Sequence, residues 1–174
     1  MTAKSPGDRH ILGSLRSADG KGVVRMEDRL DARIDDVWSA LTEPHRLARW
    51  LGDVGGDLRL GGEFRARFDA SGWEGTGRVE ACEKPRRLMV LTTNGEDGEQ
   101  GPIEVTLTAD GDRTMVVWEE GGKPLDLLAA YGAGIQIHVE DLADYVAGRE
   151  RRRDSKSRFD ELFPAYRELA GTIG

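Results

Sequence analysis

The chain has 174 residues, enough for one domain with its own hydrophobic core. Lys and Arg number 25 against 32 Asp and Glu, a net charge of −7 that repels phosphate backbones and anionic lipid surfaces, so no nucleic-acid or membrane partner is expected. A single cysteine, Cys82, and three histidines supply neither an internal disulfide nor a Cys/His zinc site, and the opening MTAKSPGDRHILG lacks the apolar stretch of a secretory signal. A reducing, cytoplasmic setting is expected, with no cofactor.

The first ten residues read as a loose tail. From Ile11, two part-apolar runs flank Asp19-Gly20, a hairpin turn signal. In the second arm Val24, Met26 and Leu30 share one face with Asp28 between them, while Arg25, Glu27 and Arg29 point the other way. The next segment, DARIDDVWSALTEPHRLARWL, spaces Val37, Trp38 and Leu41 as a helix that Asp35 or Asp36 is placed to cap. Pro44 ends this helix and opens a second that runs to Trp50.

Between Asp57 and Glu120 the chain reads as strands DLRL, GEFRARF, GWEGTGRVEACE, RRLMVLTT, IEVTLTA and TMVVWEE. Phe64, Ala66 and Phe68 oppose Arg65 and Arg67, and Ile103, Val105 and Leu107 oppose Glu104, Thr106 and Thr108, so one sheet face is buried and one wet. Asn94-Gly95 and Asp110-Gly111-Asp112 signal hairpins. After Gly121-Gly122 the period changes: Tyr131, Ile135, His138, Val139, Leu142 and Val146 form the stripe of a long helix that Gly148 can terminate. A last stripe, Phe159, Leu162, Phe163, Tyr166 and Leu169, is helical, with an interruption expected at Pro164. Five large apolar residues do not stay exposed, so this stripe packs back on the domain or makes a homodimer. The basic run Arg149 to Arg158 reads as a solvated face.

This order predicts an α+β fold in which a curved antiparallel sheet wraps around the long helix. The two diverge at one end, and the gap is where a cavity is expected.

In order, VWSALTEPHRLARWL, DLRLGGEFRARF, GTGRVEACEKPRRLMVL, VTLTADGDRTMVVWEEGG and GIQIHVEDLADYVAG resemble the SRPBCC (START-like, helix-grip) superfamily. Within it the chain is similar to the branch homologous to the activator of the ninety-kilodalton heat-shock chaperone ATPase. The resemblance covers roughly Val23 to Gly148 and implies a deep apolar pocket that different members use for lipids, polyketides or small aromatic compounds, while eukaryotic relatives bind the chaperone. Two departures border the implied pocket: Gly134-Ile135 stands where many members have Gly-Trp, and Asp28 where an Arg is frequent. The chain therefore divides into a tail (1–10), a ligand-binding domain (11–148) and a C-terminal helical extension (149–174).

Trp38 is expected as a core plug. Trp50, Phe64, Phe68, Trp73, Trp118, Ile135, Val139 and Leu142 are the expected apolar wall of the pocket. Asp28, Glu120 and His138 are its expected polar groups: His138 lies inside the helical stripe, and Glu120 alternates with Trp118 and Val116 on one strand face, where desolvation would raise its pKa. No G-x-S-x-G, H-E-x-x-H or G-x-x-x-x-G-K-[ST] motif is present, and Gly132-Ala133-Gly134 reads as a closely packed helix opening rather than a dinucleotide fingerprint. The expected function is non-enzymatic binding of a small hydrophobic molecule. The alternatives are a cyclase or hydrolase working through Glu120 and His138, and a module that binds a chaperone partner.

Overall fold

The computed structural model describes residues 10–94, 100–150 and 154–173. Strands β1 (Gly13–Ala18) and β2 (Lys21–Leu30) form the expected hairpin. Asp19 and Gly20 both take positive φ, 53° and 78°, the pair of angles that a two-residue turn needs to match strand twist. Val24, Met26 and Leu30 are fully buried on one face of β2.

Helices α1 (Ile34–Thr42) and α2 (Pro44–Trp50) follow. The cap of α1 is Arg33, which makes no side-chain capping bond; Asp35 and Asp36 lie one step further in, within the first turn, where the helix dipole favours their charge without a capping bond. Pro44 opens α2 as expected, its missing N–H falling where no intrahelical partner exists.

The expected strand at DLRL is displaced upstream. Strand β3 is Gly52–Gly56, paired antiparallel with β4 (Glu63–Phe68), and residues 57–60 turn instead. Asp57 Oδ1 accepts from the Arg59 backbone N–H at 3.0 Å and Gly62 N–H donates to Arg59 carbonyl at 2.8 Å, so local side-chain and turn bonds compete with the ladder. The glycines of β3 carry no strand-forming side chains, yet a Cβ on Gly52 would stand 1.9 Å from the Arg67 carbonyl oxygen, so only glycine lets the strands meet there.

Strands β5 (Glu74–Glu83), β6 (Arg87–Asn94), β7 (Gln100–Asp110) and β8 (Arg113–Lys123) complete one antiparallel sheet in the order β1-β2-β8-β7-β6-β5-β4-β3. The turn expected at Asn94-Gly95 falls outside the described residues from Gly95 onward. The Asp110–Arg113 turn is present as expected. Strand β8 continues beyond Glu120 through both glycines to Lys123, which pairs with Gly22.

Helix α3 (Leu128–Val146) lies in the grip of the sheet, and Gly148, at φ 76°, ends it. The expected stripe buries Ile135, His138, Val139 and Leu142, but Gly132, Ala133, Gln136 and Asp141 are buried as well. Helix α4 (Ser155–Gly171) explains this second face: it packs on α3 and β1, with Leu162 and Tyr166 fully buried. The stripe thus packs back on its own chain. Pro164 does not interrupt α4. It is exposed, so the carbonyl it leaves unbonded one turn earlier is free to meet water, while Leu162 and Tyr166 on either side hold the helix to the core. Of the basic run, residues 151–153 lie outside the described residues; Arg149 pairs with Asp144, Lys156 with Asp160, and Arg158 with Glu140 and Glu161. No described helix is long and apolar enough to cross a membrane.

Candidate functional site

Two spaces that share part of their lining open between sheet and helices. The larger, about 470 Å³, lies within the ~300–1,000 Å³ range of small-molecule sites. The sheet contributes Thr92 of β6, Ile103 of β7, and Glu120 and Lys123 of β8. Phe68, at the end of β4, and Trp73, just ahead of β5, supply aromatic surface, their centroids 4.8 Å apart at 36°. Helix α3 adds Tyr131, Gly134, Ile135, Ile137 and His138, and the first turn of α4 adds Ser155, Lys156 and Phe159. A smaller chamber of about 80 Å³ lies under α1 and α2 and shares Phe68, Thr92 and Ile103 with the larger one; Trp50, Phe64 and Trp118 line it.

The expected site residues therefore separate into three groups. Phe68, Trp73, Ile135, Glu120 and His138 line the larger cavity, and Trp50, Phe64 and Trp118 the inner chamber. Val139 and Leu142, both fully buried, line neither; they belong to the packed core. Asp28 also lines neither, so the expected trio of Asp28, Glu120 and His138 is not gathered in one place. Asp28 is half-buried near Glu140, Asp31 and His10, and burial pushes its carboxyl above the usual carboxylate range. The Glu140 and Asp31 charges add to that shift, while His10 and the hydrogen bond from Arg29 N–H oppose it.

The indole N–H groups of Trp50 and Trp118 are already engaged. Trp50 Nε1 donates to the Ala40 carbonyl at 2.9 Å, and Trp118 Nε1 donates to Glu120 Oε2 at 2.9 Å. Glu120 is 5% exposed, and its other oxygen lies 3.1 Å from Lys123 Nζ. That ammonium sits 4.6 Å from the centroid of the Tyr131 ring, within cation–π range. His138 is buried, edge-on to Phe68 with ring centroids 5.2 Å apart. Among the described residues no group of three His, Cys, Asp or Glu side chains is arranged to hold a metal ion, and Cys82 is half-buried without a disulfide.

Sequence reasoning missed Lys123, Gly134 and the α4 contribution. Gly121-Gly122 ended the expected strand before Lys123, although the spacing of three from Glu120 was available. Gly134 reads in the sequence as part of a closely packed helix opening, but a Cβ built there meets nothing within 4 Å, so its missing side chain is cavity space.

An eight-stranded antiparallel sheet curved around a long helix is the helix-grip fold, with its cavity between the two. Residues 31–147 match the family described as Activator of Hsp90 ATPase homolog 1-like protein, AHSA1, and the chain belongs to it. Among solved structures it is similar to CalU16 from Micromonospora echinospora, with a TM-score of 0.74 and 26% identity over 92% of this chain and 96% of that one. It is also similar to DynU16, a protein of the dynemicin biosynthetic locus, with a TM-score of 0.68 and 28% identity over 78% of this chain and 51% of that one. The Aha1 dimer from Colwellia psychrerythraea, at 16% identity and a TM-score of 0.62 over 71% of this chain and 95% of that one, shares the fold. No curated protein matches the sequence significantly.

Proposed function

We propose that the protein binds or sequesters a small, largely apolar molecule in the cavity between the sheet, α3 and α4, without transforming it. The observation that carries this reading is the cavity of about 470 Å³, walled mainly by carbon and widened by a glycine in mid-helix. A glycine inside a helix costs about 1 kcal/mol relative to alanine, so Gly134 retains space at the expense of stability. Likeness to DynU16 extends the reading to a biosynthetic product as guest.

The test is to fill that space. Gly134→Leu extends a side chain into the cavity from a Cβ that clashes with nothing. Titrated with the neutral fluorophore N-phenyl-1-naphthylamine, the wild type should enhance its emission saturably. Gly134→Leu should weaken binding at least about tenfold while melting no earlier than the wild type. Equal binding by both proteins would refute the cavity as the binding site.

One observation favours a second reading, turnover of the guest: Glu120 and His138 line the same cavity. Replacing both with Gln separates the two, since a binder keeps its guest and an enzyme loses its reaction.

A further inference from the structure

The ion pair in the cavity wall bears on the charge of the guest. Glu120 and Lys123 side chains are 7% and 12% exposed, and both line the cavity. Together they are neutral. Glu120 has both oxygens engaged, by Trp118 Nε1–H and by Lys123 Nζ. Lys123 has three N–H donors, and among the described residues it meets one carboxylate oxygen and the face of the Tyr131 ring. One donor is thus left for whatever occupies the cavity. Resting on the cavity as the binding site, we propose that it selects an electrically neutral guest carrying an oxygen acceptor, such as an aryl ketone, which Lys123 engages, and that it discriminates against carboxylates.

The selection follows from the charge balance. A ketone oxygen takes a charge-assisted hydrogen bond from the ammonium and adds no net charge. A carboxylate guest would bring a second negative charge to an ammonium that Glu120 already neutralises, leaving one uncompensated charge in a poorly solvated space. Lys156, the other lysine of the lining, does not offset it: its side chain is 85% exposed and paired with Asp160 at 3.0 Å.

Three probes of nearly equal shape decide the matter: 2-acetonaphthone, 2-naphthoate and 2-isopropenylnaphthalene, titrated calorimetrically at neutral pH. The ketone should bind about tenfold more tightly than either of the others, the scale of one charge-assisted hydrogen bond. In Glu120→Gln, Lys123 loses its counter-charge and the order of ketone and carboxylate should reverse. Circular dichroism establishes that the variant is folded, and if it is not, the wild-type order alone decides. An alkene that binds as well as the ketone, or a naphthoate that binds better in the wild type, would overturn the selection while leaving the cavity as the binding site. Failure of all three to bind would sink both readings together.

Discussion

The ring of Tyr166 stands where a side chain on Gly132 would have to go: a Cβ at residue 132 would lie 2.5 Å from Tyr166 Cδ1. Two residues on, Gly134 faces open space. The two glycines of one short helical stretch thus do opposite things, one letting α4 approach α3 and the other leaving room for a guest.

Opposite responses to the same substitution follow. Gly132→Ala should destabilise the protein by about 1–3 kcal/mol, because the extra methyl must push back a fully buried aromatic ring. Gly134→Ala should stabilise it by about 0.5–1 kcal/mol, through lower entropy of the unfolded chain with no clash to offset it. Chemical denaturation of the two variants beside the wild type measures both, and the same sign for both would contradict the geometry.

Tyr166 also joins three segments by its hydroxyl. It donates to Gln136 Oε1 at 2.5 Å and accepts from Gly13 N–H at 3.1 Å, while Gln136 Nε2 donates to the His10 carbonyl at 2.7 Å. Tyr166→Phe should cost about 1–2 kcal/mol, since the buried partners lose a bond that no water easily replaces. Amide hydrogen exchange should accelerate first at Leu12 and Gly13 and in α4, and an unchanged pattern there would show that the hydroxyl does not hold these segments together.

The pair Arg158–Glu140 anchors the start of α4 to α3. Arg158 Nε and Nη2 donate to the two oxygens of Glu140 at 2.9 and 2.6 Å, with side chains 20% and 15% exposed. The guanidinium is held in its charged form chiefly by the hydrogen bond to Glu140. Arg158→Met should cost about 2–3 kcal/mol by removing the main counter-charge from a largely buried carboxylate. Combining it with Glu140→Gln should recover most of that loss, and a double-mutant cycle in thermal denaturation reads the coupling.

Asp28 carries the pH dependence. Its carboxyl is raised above the ordinary value of about 3.9, mainly by desolvation, so folding favours its protonated form. The stabilisation is fully present below the unfolded pKa and is lost as pH rises through the folded one. At neutral pH the charged Asp28 therefore weighs against the fold. Asp28→Asn, which keeps an oxygen to accept from Arg29 N–H, should melt higher than the wild type at pH 7, with the gap closing towards about pH 3. A gap that widens on acidification would reverse the assignment.

Alternation and spacing were enough to place β2, β4, β7 and α3 and the inward set Val24, Met26, Phe64, Ile103, Val105 and Leu107, because a half-buried strand or helix writes its burial into its own period. The order of elements was enough to indicate the helix-grip architecture. Strand β3 left no such mark, since its glycines have no side chains to alternate and its pairing depends on β4. The same limit hid the second buried face of α3: Gln136 carries no apolar mark, and the close packing read at Gly132 names no partner until α4 supplies Tyr166.

What the sequence by itself determined about this protein is which residues must leave water and in what order the elements follow. Only the tertiary structure decided what they meet: that Glu120 finds Lys123 and Trp118, that Asp28 lies elsewhere, and that Val139 and Leu142 fill the core rather than line the cavity. The physical reason is that hydrophobic burial is non-directional and leaves a local signature, whereas a cavity and an ion pair are set by the relative placement of segments far apart in the chain.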